Sequence, residues 1–180
     1  GYRKFQRCLE QAVKFNRPLI TFIDTPGAFP GKTAEERGQG QAIAECIYRM
    51  SSAPIPTIAV VIGEGGSGGA LALGTADRLI MPENSVYSVL SPEGFASILW
   101  KDSTRAAEAA EVMKLTAADL LGFQIADHVV AEPEGGAAAN PTLAIAAVGA
   151  RIRLELNALL ELPIPELLEL RYRKYRSIGA

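Results

Sequence analysis

Two short runs in this chain are apolar without alternation, at residues 19–23 (LITFI) and 58–62 (IAVVI). That is the pattern of strands covered on both faces. Around them the apolar positions switch to helical spacing. Phe5, Leu9, Ala12 and Val13 predict an amphipathic helix over 2–15, closed by Asn16-Arg-Pro18. Ala42, Ile43, Cys46, Ile47 and Met50 predict a second helix, with Thr33 and Glu36 at capping-box spacing ahead of it. Residues 78–81 and 85–90 read as two further strands about the turn Pro82-Glu-Asn84. Ser91-Pro-Glu93 then supplies an N-cap, a proline at the first helical position and an early acidic residue; Phe95, Ile98, Leu99 and Trp100 are the expected buried face of that helix.

Helices over 106–113 and from Thr116 lead to a strand over 125–130. After a glycine- and alanine-rich loop at 134–141, a long helix over 142–162 places Leu143, Ala146, Ala147, Ala150, Leu154 and Ala158 near one face. Pro163 and Pro165 interrupt it before a last helix over 166–175. Strands alternating with helices predict one α/β domain with parallel pairing and ligands at the carboxyl ends of the strands. The core is expected over about residues 1–133 and a helical C-terminal segment over about 141–178.

The chemistry concentrates where the second buried strand meets Gly65-Gly-Ser-Gly-Gly69 and then Ala70-Leu-Ala-Leu73. Glycines let a ligand touch bare backbone, and the first amides of the following helix lack partners within the helix. Such amides stabilise an anion or a developing oxyanion. The same residues satisfy G-x-S-x-G, the nucleophile elbow of serine hydrolases, with Ser67 as nucleophile. A triad needs a histidine, and the chain has only His128, in a strand-like segment. Gly27 to Thr33 falls one residue short of a Walker A loop, and Asp24-Thr-Pro-Gly27 lacks the N-K-x-D partner of a GTPase. The better reading of this first loop is a proline-held turn that presents Gly27 and Ala28 beside the glycine turn. Glu93 is explained by the helix dipole, and the basic run Arg171, Arg173, Lys174, Arg176 by a solvated helix end.

Composition narrows the classes. A formal charge of −2 over 180 residues gives no footprint for nucleic acid or an anionic membrane. Cys8 and Cys46 match no C-x-x-C pattern, so no structural metal or disulfide framework is expected and a reducing compartment fits. No uncharged apolar stretch approaches the roughly 20 residues that a membrane helix needs.

Several long motifs in order carry a resemblance: Ile23-Asp-Thr-Pro-Gly-Ala-Phe-Pro-Gly31, Glu35-Glu-Arg-Gly-Gln39, the stretch from Ile62 to Leu73, and Ser91-Pro-Glu-Gly-Phe-Ala-Ser-Ile-Leu-Trp-Lys101. Together they resemble the carboxyltransferase α subunit of bacterial and plastid acetyl-CoA carboxylase, from Gly1 to the end of the chain. The resemblance implies a crotonase-like fold of stacked ββα units, lacking here an N-terminal segment of the family. It implies carboxyl transfer from carboxybiotin, borne on the biotin carboxyl carrier protein and loaded by biotin carboxylase, to acetyl-CoA. The product is malonyl-CoA for fatty acid synthesis. A β subunit with a zinc ribbon would complete an α2β2 enzyme, in the cytoplasm or, alternatively, the plastid stroma. Gly68 and Gly69 would carry the donors to the biotin carbonyl, with Gly27, Ala28, Gly65, Gly66 and Ala70 around the substrate and no metal in this chain. Where many relatives have a histidine after Gly-Gly-Ala, this chain has Ala138, so no role is transferred there. The alternative is a stand-alone crotonase-type hydratase or isomerase, or a hydrolase using Ser67.

Overall fold

A computed structural model describes residues 1–179. The elements run α1 (Tyr2–Lys14), β1 (Leu19–Thr25), α2 (Lys32–Glu36), α3 (Gln39–Ser52), β2 (Thr57–Gly66) and α4 (Ser67–Gly74). Then come β3 (Arg78–Pro82), β4 (Val86–Ser88), α5 (Pro92–Trp100), a 3-10 turn (Ser103–Arg105), α6 (Ala106–Met113) and α7 (Ala117–Gly122). β5 (His128–Val130), α8 (Pro141–Leu160) and α9 (Ile164–Ser177) complete the chain.

The sheet has the order β1-β2-β3-β5, every pair parallel, as the strand and helix alternation predicts. β2 is its axis. Ile58 to Val60 pair with β3, while Glu64 to Gly66 leave β3 and pair with β4. Opposite β1, Ile23 faces Val61 but Thr25 already faces Gly65, so β2 bulges outward through residues 62–64. The Asp24 carboxylate supports the bulge by accepting from the Glu64 amide at 3.1 Å.

Residues of β2 alternate between two cores, which is why its sequence is apolar throughout. Ala59 and Val61 pack with Ile23, Leu79, Met81, Ala70, Met50 and Leu120 under α1, α3, α4 and α7. Ile58 and Val60 pack with Ile80, Val130, Ile152, Leu159 and Leu167 under α8 and α9. α7 begins with a complete capping box between Thr116 and Asp119, and the Ser91 hydroxyl caps α5 by accepting from the Gly94 amide.

Several expectations need correction. Thr33 and Glu36 form no capping box; α2 ends near Glu36 and α3 starts afresh after Gly38, whose φ of +70° is left-handed. The glycine turn is shorter than expected, because the strand extends to Gly66 and the helix begins at Ser67. β4 and β5 are three-residue strands. On α5 the buried residue is Ala96, while Ile98 and Leu99 are each 61% exposed. On α8 the inward residues are Ile152, Glu155 and Leu159, not the Leu143, Ala146 and Leu154 row. Arg171 is no solvated helix end: it is 2% exposed.

That arginine joins α9 to the sheet. Its Nε and Nη2 donate to the two Asp77 oxygens at 2.7 and 2.8 Å, and its remaining donors reach the carbonyls of Met50, Ala53 and Ile55 at 2.8–2.9 Å. Asp77 Oδ2 also accepts from the Thr57 amide and hydroxyl at 2.7 and 2.8 Å, so the buried pair is fully partnered. Lys174 beside it ion-pairs with Asp127; burial lowers the Lys174 pKa and the Asp127 charge opposes that shift.

Candidate active site

The site is built where β2 delivers the chain into α4. Gly66 is the N-cap in an extended conformation, and Ser67, the first helical residue, has a φ of +56°. An eight-residue helix leaves the amides of Ser67, Gly68 and Gly69 without i−4 carbonyls inside the helix. Ser67 follows Gly66, which still pairs with Ser88 of β4; no loop carbonyl or side chain accepts from Gly68 or Gly69 among the described residues.

The loop after β1 lies directly against this turn. A Cβ on Gly66 would sit 2.1 Å from the Pro26 carbonyl oxygen, and one on Gly69 would sit 2.8 Å from the Ala28 amide nitrogen and 2.7 Å from the Tyr2 hydroxyl. Real Cβ contacts are never that short, so these two glycines are what lets the loop close over the helix start. Gly27 carries a φ of +130°, and its amide donates to Thr25 Oγ1 at 3.2 Å while Thr25 Oγ1 donates back to the Gly27 carbonyl at 3.1 Å. Further along the loop, the Gln39 side chain donates to the Phe29 carbonyl at 2.8 Å, tying the loop to the start of α3.

The opposite end of α4 is closed by hydroxyl groups. Thr75 Oγ1 donates to the Leu71 carbonyl at 3.0 Å, Thr21 Oγ1 to that of Leu73 at 2.9 Å, and the Tyr175 hydroxyl to those of Gly74 and Ala76 at 3.2 and 3.0 Å. Burial raises the Tyr175 phenol pKa well above its ordinary value, so it remains a donor. Burial likewise pushes the Tyr87 phenol up to about 12.

The structure therefore brings Gly27, Ala28, Gly66, Gly68 and Gly69 together, and separates two expected members. Gly65 is buried within β2, paired with Thr25 on one side and Tyr87 on the other, and the Tyr87 ring fills the space its side chain would take. Ala70 is 0% exposed and packs in the core under α4. Both are buried, as Gly66 and Gly69 are, but they pack against the sheet and core and not against the Gly27–Ala28 loop.

Ser67 has the backbone of a nucleophile elbow, at a left-handed strand-to-helix junction. The base is absent from its surroundings. His128 pairs in register with Ile80, and Ile80 with Val60, so it lies two strands across from a point seven residues before Ser67. At ~3.3 Å of rise per residue this is on the order of 15 Å or more. The imidazole instead meets the Glu155 carboxylate at 2.7 Å. No triad can form between them.

An apolar cavity of about 350 Å³ lies elsewhere, on the outer face of β1 and β2 against α8, lined by Phe22, Ile62, Val130, Ile145, Val148 and Ile152. A smaller cavity of about 220 Å³ lies between α1 and the start of α3, with Tyr2, Arg3, Arg37 and Gln39 at its walls. Among the described residues no group of three or more His, Cys, Asp and Glu could hold a metal ion, and no helix is long and apolar enough to cross a membrane. What the turn offers is a set of neutral, fixed N–H donors under bare backbone, suited to a carbonyl oxygen or a delocalised anion.

Comparison with known proteins points the same way. The family described as "Acetyl co-enzyme A carboxylase carboxyltransferase-like" matches residues 1–179. The chain is 58% identical over 179 residues to the acetyl-coenzyme A carboxylase carboxyl transferase subunit alpha of Clostridium acetobutylicum, covering 99% of this chain and 65% of that protein. To the protein of the same name from Carboxydothermus hydrogenoformans it is 56% identical over 180 residues, 100% of this chain and 56% of that protein. The chain thus spans less than two thirds of the length of these relatives. Among solved structures it resembles transcarboxylase 12S (26% identity, TM-score 0.62, 68% of this chain and 26% of that one). It also shares the fold of a Pseudomonas malonate decarboxylase hetero-tetramer solved with coenzyme A (20% identity, TM-score 0.75, 92% and 67% covered). The parallel sheet with its helical layers is accordingly the crotonase-like fold of carboxyltransferases.

Proposed function

This chain belongs to the acetyl-CoA carboxylase carboxyltransferase family, and from that premise we propose that it acts as the α subunit of the carboxyltransferase, moving a carboxyl group from carboxybiotin to acetyl-CoA to give malonyl-CoA. The observation that carries the proposal is the start of α4: the first-turn amides of Gly68 and Gly69 lack an i−4 carbonyl inside the helix and a loop or side-chain acceptor, and the Gly27–Ala28 loop packs beside them. Carboxybiotin supplies the carboxyl group and, after transfer, a ureido nitrogen able to accept a proton. What remains for the protein is to hold oxygen atoms on which charge grows. Backbone amides do this without a titrating group, which accounts for a site rich in glycine and poor in histidine and cysteine.

In this reading Gly68 and Gly69 donate to the biotin carbonyl, and Gly27, Ala28 and Gly66 form the adjoining wall. A β subunit bearing a zinc ribbon binds most of acetyl-CoA across the same opening, in an α2β2 assembly served by the biotin carboxyl carrier protein and biotin carboxylase. The setting is fatty acid synthesis in the cytoplasm.

The test is malonyl-CoA formation from carboxybiotin by the full-length α chain, with and without β. Gly69→Val forces a branched side chain into the space held by the Ala28 amide and the Tyr2 hydroxyl. Valine keeps the amide N–H but pushes it out of place, and losing one such donor's contact costs roughly 2.7–4 kcal/mol, a 10²–10³-fold fall in kcat. Assembly with β should survive. Wild-type turnover by the variant, or full activity of α without β, would overturn the reading.

A further inference from the structure

Tyr2 lies on the first turn of α1, yet its hydroxyl reaches the glycine turn sixty-seven residues away in sequence. The point that a Gly69 side chain would occupy is ringed by Tyr2 Oη at 2.7 Å, the Ala28 amide nitrogen at 2.8 Å and the Gly27 carbonyl carbon at 2.8 Å. The phenol is therefore a neighbour of two backbone amides already assigned to the site.

Its backbone is fixed there. The Tyr2 carbonyl accepts from the Cys46 thiol at 3.6 Å, and Gln6, one turn on, donates to the Ala42 carbonyl at 3.0 Å, so the start of α1 is stapled to α3. The hydroxyl, in contrast, makes no hydrogen bond to any described residue. It is also not sealed in the interior, since no buried side-chain oxygen or nitrogen lacks a partner among the described residues. The same residue lines the cavity of about 220 Å³ between α1 and the start of α3. A phenol placed this way, free to donate and facing accessible space, has a use that packing alone does not supply: phenylalanine would fill the same volume.

We propose that Tyr2 is a further catalytic residue, a side-chain donor beside the Gly68 and Gly69 amides that bonds the oxygen on which charge develops during carboxyl transfer. The inference rests on the site reading given above. Burial, then the neighbouring Cys46 thiol, raises the phenol pKa, which keeps the proton available for donation. The titratable and charged groups around it are Cys46 on α3 and Arg3 and Arg37 at the cavity wall; α4 and residues 26–28 contribute none.

The experiment compares Tyr2→Phe, Gly69→Val and wild type in the full-length α chain assembled with β. Tyr2→Phe should lower kcat about 10–100-fold, the loss expected for one hydrogen bond to a charged group, with KM for acetyl-CoA, assembly and melting temperature unchanged. Incorporation of 3,5-difluorotyrosine at position 2, which makes the phenol more acidic, should move the alkaline limb of kcat to lower pH. Wild-type kcat in Tyr2→Phe, or an unmoved alkaline limb in the fluorinated enzyme, overturns the proposal. If Gly69→Val is inactive while Tyr2→Phe is fully active, only the role of Tyr2 falls; if both are fully active, the site reading falls with it.

Discussion

Replacing Arg171 with methionine should reveal how strongly the C-terminal helix is bound to the sheet. Arg171 is 2% exposed and makes five hydrogen bonds, two to Asp77 and one each to the carbonyls of Met50, Ala53 and Ile55. Methionine conserves much of the stem but strands a carboxylate 3% exposed and three carbonyls. Removing one partner of a buried ion pair costs about 3–5 kcal/mol. Asp77 keeps its bonds from the Thr57 amide and hydroxyl, so the lower part of that range is expected. At about 2–4 °C per kcal/mol for a chain of this size, the melting temperature should drop by roughly 6–16 °C. Urea titration and thermal melts of the full-length chain would measure it. A double-mutant cycle with Asp77→Asn should return a coupling of about 1–3 kcal/mol, since the two groups share one network. A loss below about 1 kcal/mol, or strict additivity, would show that water replaces the guanidinium and that the buried pair is not what anchors α9.

Two further outcomes follow from the side chains around the sheet. Ser67→Ala should leave carboxyl transfer within about twofold of wild type, measured as malonyl-CoA formation, because the elbow serine has no base; a 10²-fold loss would restore it as a nucleophile. Glu155 faces His128, Arg151 and Arg78 at 2.7–3.2 Å, and although burial opposes its charge, these partners hold its carboxyl below the ordinary 4.5. A depressed folded value contributes stability that is present above the unfolded pKa and lost as pH falls through the folded one. The melting temperature should therefore fall more steeply below about pH 4.5 in wild type than in Glu155→Gln, and parallel curves would contradict the assignment.

Sequence pattern located elements whose signal is local and failed where a partner was distant. The unbroken apolar run of β2 announced burial on both faces, and the helix start read at Thr116 is where α7 begins. The inward face of α8 was misread because alanine fits either side of a helix, and because Glu155, polar and so assigned to water, is buried against Arg78, His128 and Arg151 from β3, β5 and α8. Arg171 looked like one member of a solvated basic run, since its carboxylate partner lies 94 residues back. One clue was present: Leu167, Arg171 and Tyr175 repeat every four residues, which puts the arginine on the buried stripe. At the site, the glycines were legible and their roles were not. Gly65 and Ala70 belong to the packing, and Tyr2 carried no local signal at all.

The two ends of α4 are treated oppositely, and this asymmetry gives the site its sign. A helix carries partial positive charge at its amides and partial negative charge at its final carbonyls. The hydroxyls of Thr75, Thr21 and Tyr175 satisfy the carbonyls of Leu71, Leu73 and Gly74, so the negative end is hydrogen-bonded within the protein. The amides of Gly68 and Gly69 receive no loop carbonyl or side-chain acceptor among the described residues. The loop that covers them brings Gly27 and Ala28, which have no side-chain acceptor to fold back onto the donors. An Asp, Asn, Ser or Thr at the N-cap would have closed this end and stabilised the helix by about 1 kcal/mol; Gly66 stands there instead, and any side chain would strike the Pro26 carbonyl. The fold thus leaves the first turn of α4 without a side-chain cap and fixes the other end with hydroxyls, so the orientation of the helix is set from its carbonyl end.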